Sequence, residues 1–131
     1  MASIRKDIHI ARDPDHVWAA VREVGAPHER LAQGFVVDTV VEPGARVVTF
    51  AGGAVARELI VDVDEDRRRV AYSVVDGPLG ATHHNASFEV VAEPGGSRLV
   101  WITDVLPHEL APLVEDLVEQ GATAITRTLA G

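Results

Sequence analysis

The stretch His83–Leu106, "HHNASFEVVAEPGGSRLVWITDVL", decides the fold. Adjacent residues on a strand point to opposite faces, and both halves of this stretch keep apolar residues at alternate positions. Between them Pro94–Gly95 forms a short turn of the kind that joins antiparallel strands. Centring the pair on that turn sets Val90 opposite Leu99, Phe88 opposite Trp101 and His84 opposite Val105. His84 then faces the interior with the apolar residues, and His83 faces water. Asn85 pairs with Asp104 on the outer side.

Working outward, the same alternation of apolar runs and turn residues recurs. "FVVDTVV" precedes "EPGA", "RVVTF" precedes "AGGA", "VARELIVDV" precedes "DEDR", and "RVAYSVV" precedes "DGPLG". Short loops of Gly, Pro, Asp and Glu between β-branched runs imply antiparallel hairpins. "SIRKDIHIA" adds a first strand with Ile4, Ile8 and Ile10 on one face. In "DPDHVWAAVRE" Asp13 is an N-cap and Pro14 the first helical residue, with Val17, Trp18 and Val21 as an apolar stripe. A second turn of helix covers "PHERLA". The terminal segment carries Leu110, Leu113, Val114, Leu117, Gly121, Ile125 and Thr128 or Leu129 at helical spacing. Pro112 is tolerated only in a first turn, so that helix begins between Glu109 and Ala111.

The reading is an α+β fold in one domain, residues 1–131. A seven-stranded antiparallel sheet wraps around a long C-terminal helix, and two short helices follow strand 1. A sheet with one apolar face needs cover, and the terminal helix supplies a matching stripe. Turn-centred pairing assigns Val37, Val48, Phe50, Val55, Leu59, Val61, Val63, Val70, Val74, Phe88, Val90, Leu99, Trp101 and Val105 to the inner face. Asp38, Thr49, Glu58, Asp62, Arg69, Ser73, His83, Asn85, Ser87 and Glu89 fall outside, so the outer face reads as polar. Tyr72 is set against His84 and Val74 against Thr82.

Composition narrows the function classes. The net charge of −8 argues against nucleic acid and anionic membranes, which reward clustered Lys and Arg. The basic run Arg67–Arg69 follows "DVDED" and reads as a solvated hairpin turn. Cysteine is absent, which excludes disulfides, a thiol nucleophile and Cys-ligated zinc. "MASIRKDIHI" lacks a signal-peptide apolar run, and no segment approaches the ~18 apolar residues of a membrane span. The expectation is a cytoplasmic protein, monomer or homodimer, with no membrane insertion.

Three segments carry a resemblance: "DPDHVWAAVRE" (Asp13–Glu23), "EPGARVVTFAGGAVARE" (Glu42–Glu58) and "GGSRLVWITDVLP" (Gly95–Pro107). In this layout the chain resembles the START-like, helix-grip superfamily over essentially its whole length, closest to the polyketide cyclase/dehydratase and lipid-transport branch. The resemblance implies an apolar cavity between the sheet and the last helix. It supplies no shared catalytic signature to carry over.

The inner face also holds Arg57, Tyr72, Thr82, His84 and Thr103 on neighbouring strands. Buried Arg and His are costly unless paired or hydrated, so a cavity holding a polar ligand head would explain them together. With Trp101 as wall, these are the candidate ligand-binding residues, and the partner is a small apolar ligand. Each has a plainer reading: His84 as a core histidine bonded to Tyr72 or a carbonyl, Tyr72 as packing, Arg57 as a rim residue that snorkels or pairs with a carboxylate. A cyclase-type enzyme is the alternative, with His84 as base and Arg57 and Tyr72 stabilising an enolate. A protein-interaction module is a third class. His28 is placed near a cavity mouth or simply on the surface. His83, Asn85 and Asp104 make a poor metal set by ligand count, so neither a metal nor a cofactor is expected.

Overall fold

The computed structural model describes residues 2–130. In chain order the elements are β1 (Ala2–Ile10), α1 (Pro14–Val21), α2 (Pro27–Arg30), β2 (Val36–Glu42), β3 (Ala45–Phe50), β4 (Val55–Asp64), β5 (Arg69–Asp76), β6 (His83–Glu93), β7 (Gly96–Leu106), a single 3₁₀ turn (His108–Leu110) and α3 (Ala111–Ala130). The seven strands form one antiparallel sheet in the order β1-β7-β6-β5-β4-β3-β2, with α3 against its inner face. This is the helix-grip α+β architecture expected from the sequence.

The β6–β7 ladder runs unbroken from Glu93↔Gly96 to His83↔Leu106, with Phe88 opposite Trp101, Val90 opposite Leu99 and His84 opposite Val105. β1 completes this half of the sheet through Ile8↔Leu99 and Ile4↔Thr103. Gly96 lies where β1 leaves the sheet: a Cβ there would stand 2.2 Å from the Ile10 carbonyl oxygen. Asp13 caps α1 by accepting from the His16 amide at 2.8 Å, and Pro14 opens the helix. Val17, Trp18, Ala20 and Val21 are buried, and the Trp18 indole donates to Glu65 at 2.8 Å, tying α1 to the β4–β5 turn.

α3 begins at Ala111, with Pro112 inside its first turn, where the missing N–H costs nothing. Its buried stripe is Val114, Val118, Gly121, Ala122, Ala124, Ile125 and Leu129. Leu113, expected within it, is half exposed. The helix packs closely on β1, where Lys6 reaches Glu119 at 2.9 Å, and stands away from β3–β5.

The other half of the sheet departs from the turn-centred scheme. The β3–β4 connection is an odd loop: the Phe50 amide donates to the Ala54 carbonyl, enclosing Ala51, Gly52 and Gly53, with both glycines at positive φ. Arg46 therefore faces Glu58, and Val48 faces Ala56. A shift of one residue exchanges the two faces of a strand. Ala56 and Glu58 are buried, while Val55, Arg57 and Leu59 turn outward. Val37 and Val61 sit at bulges and are exposed. The outer face consequently carries apolar side chains, Val40, Val55 and Leu59 among them, where a polar surface was expected. The Arg67–Arg69 run does lie at a turn, with Arg67 paired to Glu89 and Arg68 to Asp15.

Candidate functional site

Because α3 closes on β1 but not on β3–β5, a cavity of about 530 Å³ lies between the helix and the sheet. Its walls are mainly apolar: Val48, Phe50, Ala56, Phe88 and Trp101 from the sheet, Val114, Leu117, Ala124 and Ile125 from α3. It is partly open to solvent, and Phe35, the loop Gly77–Ala81, Gln120 and Arg127 also border it.

An aromatic shelf runs along one wall. Tyr72 and Phe88 stack at 6.1 Å between centroids with 23° between planes, and Phe88 and Trp101 at 4.8 Å and 26°. Gly121 on α3 makes room for it, since a Cβ would sit 2.8 Å and 2.9 Å from indole carbons of Trp101. Trp101 is buried, and its indole N–H is one of two buried side-chain polar atoms without a hydrogen-bond partner among the described residues. The other, Arg98 Nε, does not line the cavity.

At the end of the shelf lies a buried ion pair. Arg46 and Glu58 are 7% and 6% exposed, and Arg46 Nε donates to Glu58 Oε1 at 2.8 Å. Arg46 Nη1 donates to the Val24 carbonyl at 2.9 Å, and the guanidinium carbon stands 5.1 Å from the centre of the Tyr72 ring. Burial pushes the Glu58 carboxyl above its ordinary range, opposed by the Arg46 charge and hydrogen bond. Burial, followed by the Glu58 charge, also raises the Tyr72 phenol, opposed by the Arg46 charge. Tyr72 is therefore a neutral donor at physiological pH. His84 lines the cavity half-buried, and burial, then the neighbouring His83, lowers its pKa. It is accordingly a neutral imidazole near pH 7.

Of the six residues singled out from sequence, the structure brings Tyr72, His84, Trp101 and Thr103 to the cavity wall. Arg57 is not there. The β4 register turns it outward, where it pairs with Glu42 at 3.0 Å, both side chains about two-fifths exposed. Thr82 is also outside the cavity and exposed. The β5–β6 ladder ends at Ser73↔Asn85, and Tyr72 faces Ala86 instead of His84, so Thr82 lies beyond the paired strands. Arg46 and Glu58 went unrecognised. The legible signal was that Arg46 shares its parity with Val48 and Phe50, and an odd glycine loop would set a complementary charge opposite it.

Outside, His83 bonds Asn85, Asn85 donates to Asp104 at 3.2 Å, and Ser3 donates to Asp104 at 2.6 Å. His28 lies at 3.0 Å from the Thr39 hydroxyl and does not line the cavity. No cluster of three metal-ligating side chains occurs among the described residues.

Residues 1–130 match the family described as polyketide cyclase / dehydrase and lipid transport. No curated protein matches the chain. Among solved structures, the protein XoxI of Bacillus cereus superposes with a TM-score of 0.87 at 17% identity, over 98% of this chain and 96% of that one. A START superfamily protein of Mycobacterium smegmatis gives 0.74 at 14% identity, over 98% and 94%. Norcoclaurine synthase of Thalictrum flavum, a point mutant bound to a transition-state analogue, gives 0.68 at 19% identity, over 98% and 93%. At these identities the likeness is one of fold.

Proposed function

Because the chain belongs to the polyketide cyclase/dehydrase and lipid transport family, we propose that it binds a small, mostly apolar ligand between the sheet and α3. The observation that carries this reading is the cavity itself. About 530 Å³ of space, apolar on most sides and reached by a few polar groups, falls within the usual range for small-molecule sites. A core built only for stability would fill such a volume with side chains, since voids are costly. The fold likeness to a START superfamily protein is consistent with it.

Native mass spectrometry of the protein, incubated with a set of two- and three-ring apolar compounds, tests the reading. The expected result is one bound molecule per chain, lost on denaturation and reduced by Ala124→Phe, which fills the cavity from α3. Absence of any adduct, or adducts indifferent to the filling, would overturn it.

A second reading, base catalysis on an enolisable ligand, is favoured by one observation: His84 borders the cavity as a neutral imidazole. It would take a proton from carbon, and the developing enolate oxygen would accept from the Tyr72 hydroxyl. Proton exchange at the acidic CH₂ of a 1-aryl-1,3-diketone, followed by NMR, should exceed the buffer rate and fall to it in His84→Ala. An equal rate in that variant would remove His84 from the mechanism.

A further inference from the structure

The polar end of the cavity is more specific than its apolar walls require. Arg46 spends Nε on Glu58, Nη1 on Val24 and its face on Tyr72, which leaves Nη2 without a partner. Glu58 spends Oε1 on Arg46, which leaves Oε2 without a partner. Neither atom is entombed, because the only buried side-chain polar atoms lacking a partner among the described residues are Arg98 Nε and Trp101 Nε1. Both residues line the cavity and are otherwise almost wholly buried, so their free atoms open onto it. The cavity therefore presents a donor and an acceptor side by side, on opposing residues of β3 and β4.

The charges of this site cancel. A carboxylate reaching Nη2 would gain a hydrogen bond to guanidinium but would lie beside the Glu58 carboxylate, with both ions stripped of water. A neutral hydroxyl can donate to Oε2 and accept from Nη2 with no such penalty. The stacked Tyr72, Phe88 and Trp101 rings, with neighbouring planes 23° and 26° apart, make a continuous aromatic wall leading to that point.

We propose that the Arg46–Glu58 pair is a head-group site, and that it selects uncharged, hydroxyl-bearing aromatic ligands of the phenol class over carboxylates of the same shape. This rests on the ligand-cavity reading and adds a direction to it: the hydroxyl lies at β3–β4 and the rings along β5–β7.

Fluorescence titration at pH 7 with 2-naphthol, 2-methoxynaphthalene and 2-naphthoate tests the proposal, since the three share one ring system. The wild-type protein should bind 2-naphthol at least tenfold more tightly than either of the others. The methyl ether cannot donate to Glu58, and the naphthoate carries the wrong charge. In the double variant Arg46→Met/Glu58→Leu, an apolar replacement chosen to keep the volume, the ether should bind best. If the ether or the naphthoate matches 2-naphthol in the wild-type protein, the head-group site is wrong while the cavity stands. The same conclusion follows if the double variant retains the naphthol preference. If none of the three binds the wild-type protein, the cavity reading fails and the head-group site falls with it.

Discussion

The β6–β7 and β3–β4 hairpins are made from the same materials, β-branched and aromatic residues alternating with polar ones around a glycine turn, yet they obey their sequences differently. In β6–β7 a two-residue Pro94–Gly95 turn fixes an even register, and every inner residue follows from it. In β3–β4 the loop encloses three residues, and the inner face of β4 becomes Ala56 and Glu58 instead of Val55, Arg57 and Leu59. The first hairpin lies in the half of the sheet that β1 and α3 close tightly. The second lies where α3 stands off and the cavity opens. Packing tolerates a small alanine and an ion pair where it does not have to fill space. Both hairpins reach the candidate site: the regular one supplies His84, Phe88, Trp101 and Thr103, and the one that departs from a simple apolar-inside pattern supplies the Arg46–Glu58 pair.

The comparison is most sharply tested at Arg46. Removing one partner of a buried pair strands the other, and Arg46→Ala should cost about 3–5 kcal/mol in urea unfolding. An effect near zero would mean that β4 follows the even register after all. In the tight half, Gly96→Ala should cost about 2 kcal/mol, because the new Cβ meets backbone at Ile10 and cannot be relieved by a side-chain rotation. Wild-type stability would show that β1 does not cross there.

Smaller is the pH dependence. Burial raises the Glu58 carboxyl in the folded protein, so the folded state binds that proton more tightly than the unfolded chain. Its contribution is complete below the ordinary carboxylate pKa of 4.5 and is lost as pH rises from there to the raised native value. The wild type should therefore lose stability relative to Glu58→Gln as pH increases over that window, measured by urea unfolding at stepped pH. A difference that stays flat, or rises, would mean Glu58 is not the desolvated carboxyl described. Smallest is Arg57→Ala, whose exposed pair with Glu42 should change stability by under about 1 kcal/mol. A large loss there, with a small one at Arg46, would invert the assignment of the two arginines.

What could be read in advance follows the same divide. The consecutive pairing of β2 to β7, the N-cap of α1, the start of α3 and the inward direction of His84 rest on local rules: short turns, Asp13 before Pro14, Pro112 tolerated only in a first turn. Trp101 and Thr103 kept their face because the β6–β7 register is the turn-centred one, and Tyr72 kept its face because a register error of two residues, as between β5 and β6, preserves parity. Arg57, Leu59 and Val55 did not, because parity in β4 depends on whether the "AGGA" loop encloses an even or an odd number of residues. Two adjacent glycines permit either. The bulges at Val37 and Val61 each add one unpaired residue to a strand, which turn-centred pairing does not count.

The central claim is that a ligand enters between the inner face of β3–β7 and α3. The two tryptophans make it directly measurable, because Trp101 lines the cavity while Trp18 does not and has its indole N–H held by Glu65. Titration of ¹⁵N-labelled protein with 2-naphthol should shift the Trp101 indole resonance, with the backbone amides of Val48, Tyr72 and Thr103, and leave the Trp18 indole in place. Shifts confined to outer-face residues such as Val40, Val55 and Leu59, with both indoles unmoved, would contradict the account.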